Sequence, residues 1–182
     1  MHSKDFDDYV RRQQEVLPAG PPIDWNNERD EWLSYLNSLY KRIESFLDKY
    51  VSVGQIQFEF QDIELNEEHI GSYTARKMVL RIGKQVVNLV PIGTFIIAFK
   101  GRVDVVGSSG KAQIVLVDSK VTDPRSLVHV RVGTSGDLPI APKELSDEIQ
   151  WEWKILTRPP ERRFAEVTQE TFFQLIMEVS NG

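Results

Sequence analysis

Hydrophobic and polar positions change period along the chain, and each change marks an element. Trp32, Leu36, Leu39, Ile43, Phe46 and Tyr50 recur at spacings of four and three, which places them on one stripe of a helix. Leu33, Tyr35, Tyr40 and Leu47 widen the stripe. Asn27 is the expected N-cap, with Glu28, Asp30 and Glu31 near the positive end of the helix dipole, and Gly54 marks the stop.

From Gln55 the period falls to two. Ile56, Phe58 and Phe60 alternate with Gln57, Glu59 and Gln61, the pattern of a half-buried strand. The alternation slips at Asp62, after which Ile63 and Leu65 take the apolar parity, and a bulge or bend is expected there. Glu64, Glu67 and Glu68 form an acidic turn before Gly71. Further strands are predicted at 75–82 and 85–90, around a tight turn at Gly83-Lys84; at 95–106 and 112–120; at 127–132; and at 149–156. In the last of these, Ile149, Trp151, Trp153 and Ile155 share a face opposite Gln150, Glu152 and Lys154. Pro159-Pro160 break the run, and Thr168 caps a final helix bearing Phe172, Phe173, Ile176 and Val179.

Before the long helix, Ser3 caps a short helix with Phe6, Tyr9 and Val10. Pro18, Pro21 and Pro22 then stop it, because proline lacks the N–H donor. The order helix, strands, helix predicts an α+β fold: a mainly antiparallel sheet of six to seven strands, flanked by a long N-terminal and a short C-terminal helix. Residues 1–24 read as a helical arm and Pro-rich linker, and 25–182 as one domain. Trp25 reads as a hydrophobic staple at the helix start.

Composition narrows the chemistry. The 182 residues include no cysteine, which excludes disulfides, thiolate metal sites and cysteine nucleophiles and fits a cytoplasmic home. Residues 1–10 have no apolar core of the kind a signal peptide needs. The longest apolar run, Phe95 to Phe99, is too short to cross a bilayer. The net charge of −5 opposes sequence-independent nucleic-acid binding, which needs a basic face. His2, His69 and His129 lack ligand spacing.

One constellation invites an enzymatic reading. Asp104 lies in Gly101-Arg102-Val103-Asp104-Val105, and Asp118-Ser119-Lys120 ends the next predicted strand. An Asp on one strand and Asp-x-Lys on the next resembles the core of the PD-(D/E)xK nuclease superfamily. The resemblance implies Asp104 and Asp118 as ligands of Mg²⁺ or Mn²⁺ and Lys120 as the catalytic lysine in phosphodiester hydrolysis. The chain departs from that family after Lys120: Asp123-Pro124 turn into the strand-like 127–132 where the family places a helix.

The hairpin between the two acids supplies a geometric test. Gly107 to Lys111 reads as a three-residue loop with Gly110 in the left-handed conformation, so residue 107 pairs with 111. That register groups Phe95, Ile97, Phe99, Val103 and Val105 with Val115, Val117 and Val121 as a core face. Lys100, Arg102, Asp104, Asp118 and Lys120 take the other face. Asp118 then stands opposite Lys100 as an ion pair. The two aspartates lie roughly 13 Å apart at ~3.3 Å per residue, too far to share a metal.

The leading expectation is therefore a non-enzymatic interaction or accessory protein that binds a macromolecular partner, a protein rather than nucleic acid or membrane, through the arm at 1–17 and Trp25, with no cofactor. The metal-dependent nuclease is its alternative.

Overall fold

The computed structural model describes residues 22–94, 99–127, 149–157 and 162–181. The arm at 1–21, the beginning of the strand expected from Phe95, and residues 128–132 of the strand expected at 127–132 lie outside them. Two helices, α1 (Trp25–Ser52) and α2 (Gln169–Asn181), bracket seven strands: β1 (Ile56–Glu67), β2 (Gly71–Ile82), β3 (Gln85–Gly93), β4 (Gly101–Val106), β5 (Lys111–Asp118), β6 (Trp151–Leu156) and β7 (Phe164–Glu166). Each strand pairs antiparallel with the next, so the sheet is an α+β meander in chain order. Among the described residues no helix is long and apolar enough to cross a membrane.

The cap of α1 sits three residues earlier than expected. Asp24 Oδ1 accepts from the backbone N–H groups of Asn26 and Asn27 at 3.1 Å each, so Asp24 satisfies the donors that Asn27 was expected to satisfy. Its other end closes as a Schellman motif: Gly54 N–H donates to Val51 and Gln55 N–H to Tyr50, with Gly54 at φ 73°. The fully buried stripe of α1 is Trp32, Leu36, Leu39, Tyr40, Ile43 and Leu47. Phe46 and Tyr50 pack at its margin, against Phe172 and Phe173 of α2.

Both helices bury themselves on the same face of the sheet, with Met78, Leu80, Leu89, Val103, Ile114, Leu116 and Trp153. Close approach there is a sequence property. A Cβ on Gly101 would stand 2.2 Å from the Trp32 ring, so glycine lets the indole lie flat on the sheet. Trp153 adds its ring 5.9 Å from that of Trp32 and donates its Nε1–H to the Tyr35 carbonyl at 3.1 Å. At the start of α2, Thr168 and Thr171 cap each other: Thr171 N–H donates to Thr168 Oγ1 and Thr168 N–H to Thr171 Oγ1.

The parity slip at Asp62 is not a bulge. β1 and β2 stay in register from Ile56↔Ile82 to Glu67↔Gly71, yet core-facing residues change from Phe60 and Met78 to Ile63 and Ala75. The two-stranded ribbon turns over as a unit, and β3 accompanies it only from Ile82↔Gln85 to Met78↔Leu89. The ribbon twist exchanges the two faces without an inserted residue.

Candidate functional site

The hairpin register is where the sequence reading needs its main correction. β4 and β5 pair Val106 with Lys111 and Gly101 with Leu116, so the loop has four residues, 107–110, closed by Gly107 N–H donating to the Gly110 carbonyl. The cause lies in α2. Its last turn docks on the loop, with Ser109 N–H donating to the Val179 carbonyl at 2.8 Å and the Ser108 and Ser109 hydroxyls donating to the Ser180 carbonyl. A Cβ on Gly107 would lie 2.3 Å from the Val179 oxygen. The loop thus supplies donors to the carbonyls that a helix end leaves unsatisfied.

A one-residue change of register moves every β5 side chain to the other face relative to β4. Val103 and Val105 share the helix-covered core with Ala112, Ile114 and Leu116. Val115 and Val117 form a second cluster with Leu156, Phe99 and Phe164 on the opposite face. Asp104 lies on that second face, opposite Gln113, whereas Asp118 alternates with Leu116 on the helix face, opposite Trp151 of β6. The two aspartates are therefore on opposite faces of one sheet. Lys120 lies past the end of β5, where its backbone N–H donates to Asp118 Oδ1 at 3.0 Å. The structure does not bring the three residues into one site, and among the described residues no group of three His, Asp or Glu is placed to hold a metal ion.

The expected pair of Lys100 with Asp118 is absent as well. Lys100 Nζ instead bridges Glu28 at 2.7 Å and Glu31 at 2.6 Å in the first two turns of α1, and lies 5.4 Å from the Trp151 ring centre. Burial works to lower its pKa, but the hydrogen bonds it donates to Glu28 and Glu31, with their charges, outweigh it and hold the ammonium above its ordinary value.

Asp104 is 3% exposed. Lys111 Nζ stands 2.6 Å from its Oδ2, and Arg102 Nε stands 2.9 Å from its Oδ1. The Arg102 Nε–H is not aimed at that oxygen, and Arg102 instead donates from Nη2 to Asp104 Oδ2 at 3.4 Å. The cluster is an internal charge balance on the face opposite the two helices.

Among the described residues a concave site lies elsewhere, at the tip of the β1–β2 ribbon. A cleft of about 470 Å³ is lined by Asn66, Glu67, Glu68, His69, Ile70, Ile92 and Gly93. Glu67 holds its wall. Its carboxylate accepts from Thr94 N–H at 3.0 Å, from the Thr94 hydroxyl at 2.8 Å and from the Tyr73 hydroxyl. Burial, together with the hydrogen bond and charge of Glu67, pushes the Tyr73 phenol above its ordinary range, which keeps it a donor. Gly93 makes the clamp fit. Its φ is 137°, its β3–β4 register shifts, and a Cβ there would meet the Glu67 carboxylate at 2.9 Å.

Trp25 is not a staple. With Asp24 as the cap it is the first residue of α1, not the residue before the cap, and it stacks on His69 of the cleft lining, with ring centres 4.8 Å apart and planes 18° apart. The sequence signal for this cleft is slight: Glu64, Glu67 and Glu68 read as an acidic turn before Gly71, and Pro91 and Gly93 lie just past the strand predicted at 85–90. Among the lining residues there is an imidazole and two carboxylates but no hydroxyl or thiol nucleophile, and Glu67 already accepts from Tyr73 and Thr94.

No family model, curated protein or solved structure matches the chain.

Proposed function

We propose that this protein acts by binding another macromolecule, a protein, and that the ribbon-tip cleft is its docking site. The observation that carries the reading is the cleft itself: Ile70 and the exposed Ile92 supply apolar contact, while Glu68, Asn66 and His69 supply polar anchors around them. The Glu67 clamp rigidifies it, and a preformed site loses less entropy on binding. The arm and linker expected at 1–24 lead directly into Trp25, which stacks on His69 of the cleft. Cleft and arm attachment thus adjoin.

The test is affinity capture with the wild type, Ile92→Asp, His69→Ala and a chain lacking residues 1–21, each checked by thermal melting. A protein retained by the wild type and lost with folded Ile92→Asp supports the reading. Equal retention by all four moves the docking site away from both cleft and arm.

A further inference from the structure

The two described helices lie on one face of the sheet. On the opposite face, β3 presents a line of apolar residues. Val87 and Leu89 point into the helix-covered core, so Val86, Asn88, Val90 and Ile92 point the other way. Val86 is 39% and Ile92 36% exposed, and Val90 is half-buried. The register sets Asn88 between Val79 of β2 and Val106 of β4, so one amide stands among five apolar side chains.

Cations flank this line on both sides. On β2, Arg81 donates to Glu59 at 3.0 Å, and the charge of Lys77 acts on the same carboxylate. On β4 and β5, Arg102 and Lys111 share Asp104, which is buried while the Lys111 side chain is half exposed. Asp62 and Glu64, of opposite parity to Glu59, leave from the other side of the ribbon. Each flank therefore sets two cations against one carboxylate, in a chain whose net charge is −5.

Three features define the occupant. β3 is an interior strand bordered by β2 and β4, so its face offers no backbone hydrogen bonds and whatever covers it must satisfy its own, as a helix does. The line from Val86 to Ile92 runs roughly 20 Å at ~3.3 Å per residue, the length of about thirteen helical residues. The charge at its margins calls for acids on both sides of an apolar stripe. The chain uses the same device on its other face, where Glu28 and Glu31 of α1 hold Lys100 at 2.7 and 2.6 Å. The line carries no aromatic ring on which a base could stack, and its cations surround apolar residues, which is the anatomy of a protein interface and not of a nucleic-acid track.

We infer that this face docks an acidic amphipathic helix of the partner protein. Its apolar stripe would lie on Val86, Val90, Ile92 and Val106, and its Asp or Glu residues would face Lys77 and Arg81 on one side and Arg102 and Lys111 on the other. The inference rests on the reading of the chain as a protein-binding one, and its surface meets the cleft at Ile92.

The experiment selects a display library of helical peptides of about fourteen residues on the full-length protein, with counter-selection on Val86→Glu, an exposed position whose variant is checked by melting. The expected peptides carry apolar residues at spacings of three and four with Asp or Glu on either side. The strongest, titrated into isotope-labelled protein, should shift amide resonances of β3 and β4 and bind about tenfold more weakly to Val86→Glu and to Lys77→Gln. His69→Ala, which alters the cleft, should bind it as the wild type does. No enrichment over Val86→Glu, enriched peptides that are neutral or basic, or shifts centred away from β3 and β4 would overturn the inference. Loss of binding in His69→Ala would overturn it too, while leaving the cleft as a docking site. Saturable binding of a labelled single-stranded oligonucleotide, lost in Lys77→Gln, would overturn it in favour of nucleic acid.

Discussion

The Tyr40 hydroxyl on α1 donates to the Arg76 carbonyl on β2 at 2.6 Å. It does so beside the point where β2 leaves β3, since the last β2–β3 pair is Met78↔Leu89, and the Leu89 carbonyl is 3.5 Å from the same oxygen. The helix thus supplies a donor where the sheet forks. Burial holds the Tyr40 phenol above its ordinary range, so it stays protonated. Tyr40→Phe removes the donor and strands the carbonyl, with an expected loss of about 1–2 kcal/mol. Urea denaturation measures this, and an unchanged midpoint would show that the fork does not need the bond.

Gly101→Ala tests the contact between sheet and helix. The added methyl would meet the Trp32 ring, itself fully buried, and backbone or ring must move. The expected destabilisation is about 1–3 kcal/mol, and Trp32→Leu in the same chain should recover part of it. Additive losses in the double variant would show that the two positions do not compete for space.

The Asp24 carboxylate is part of α1 as its cap. Asp24→Ala should cost about 1 kcal/mol. A chain beginning at Pro22 should melt above one beginning at Trp25 by a matching amount, because only the former keeps the capping carboxylate. Equal melting temperatures would mean that solvent satisfies the donors of Asn26 and Asn27 equally well.

Lys100 gives the protein a stability term at the alkaline end. Its pKa is raised in the folded state, so its contribution is complete below the ordinary lysine value of 10.5 and is lost as pH rises through the folded value. The wild type should therefore exceed Lys100→Met in denaturation midpoint at neutral pH, with the gap closing above pH 10.5. A gap independent of pH would assign the effect to packing on Trp151 instead of charge.

Asp104 and Asp118 should behave as two unrelated residues. Asp104→Ala leaves Arg102 and Lys111 without their carboxylate, and a loss of about 2 kcal/mol is expected, below that of a fully buried pair because Lys111 is half exposed. Mn²⁺ should raise the melting temperature of the wild type no more than that of Asp118→Ala. A rise confined to the wild type would require both carboxylates at one ion.

Much of the fold was legible in the sequence because it rests on local rules. The four-and-three spacing of α1, the two-residue turn at Gly83-Lys84, the alternation of Trp151 to Ile155, and the Thr168 cap each involve neighbours along the chain. The short β7 was missed because three residues carry no period. The cleft was hidden for a different reason: Glu67 meets Thr94, and His69 meets Trp25, only through pairs far apart in the sequence that the tertiary fold brings together.

Period alone thus marked the longer strands and the two α-helices, since side-chain direction follows backbone period. It could not determine how one strand lies against the next. Val103, Val105, Val115 and Val117 make an apolar face in one register, and Val103, Val105, Ile114 and Leu116 make an equally apolar face in the register one residue away. The choice fell to the C-terminal helix, whose free carbonyls at Val179 and Ser180 take their hydrogen bonds from Ser108 and Ser109 and so hold the loop at four residues. Hydrophobic pattern is degenerate where both faces of a strand are apolar, and only a contact between residues about 70 positions apart in the chain removed that degeneracy.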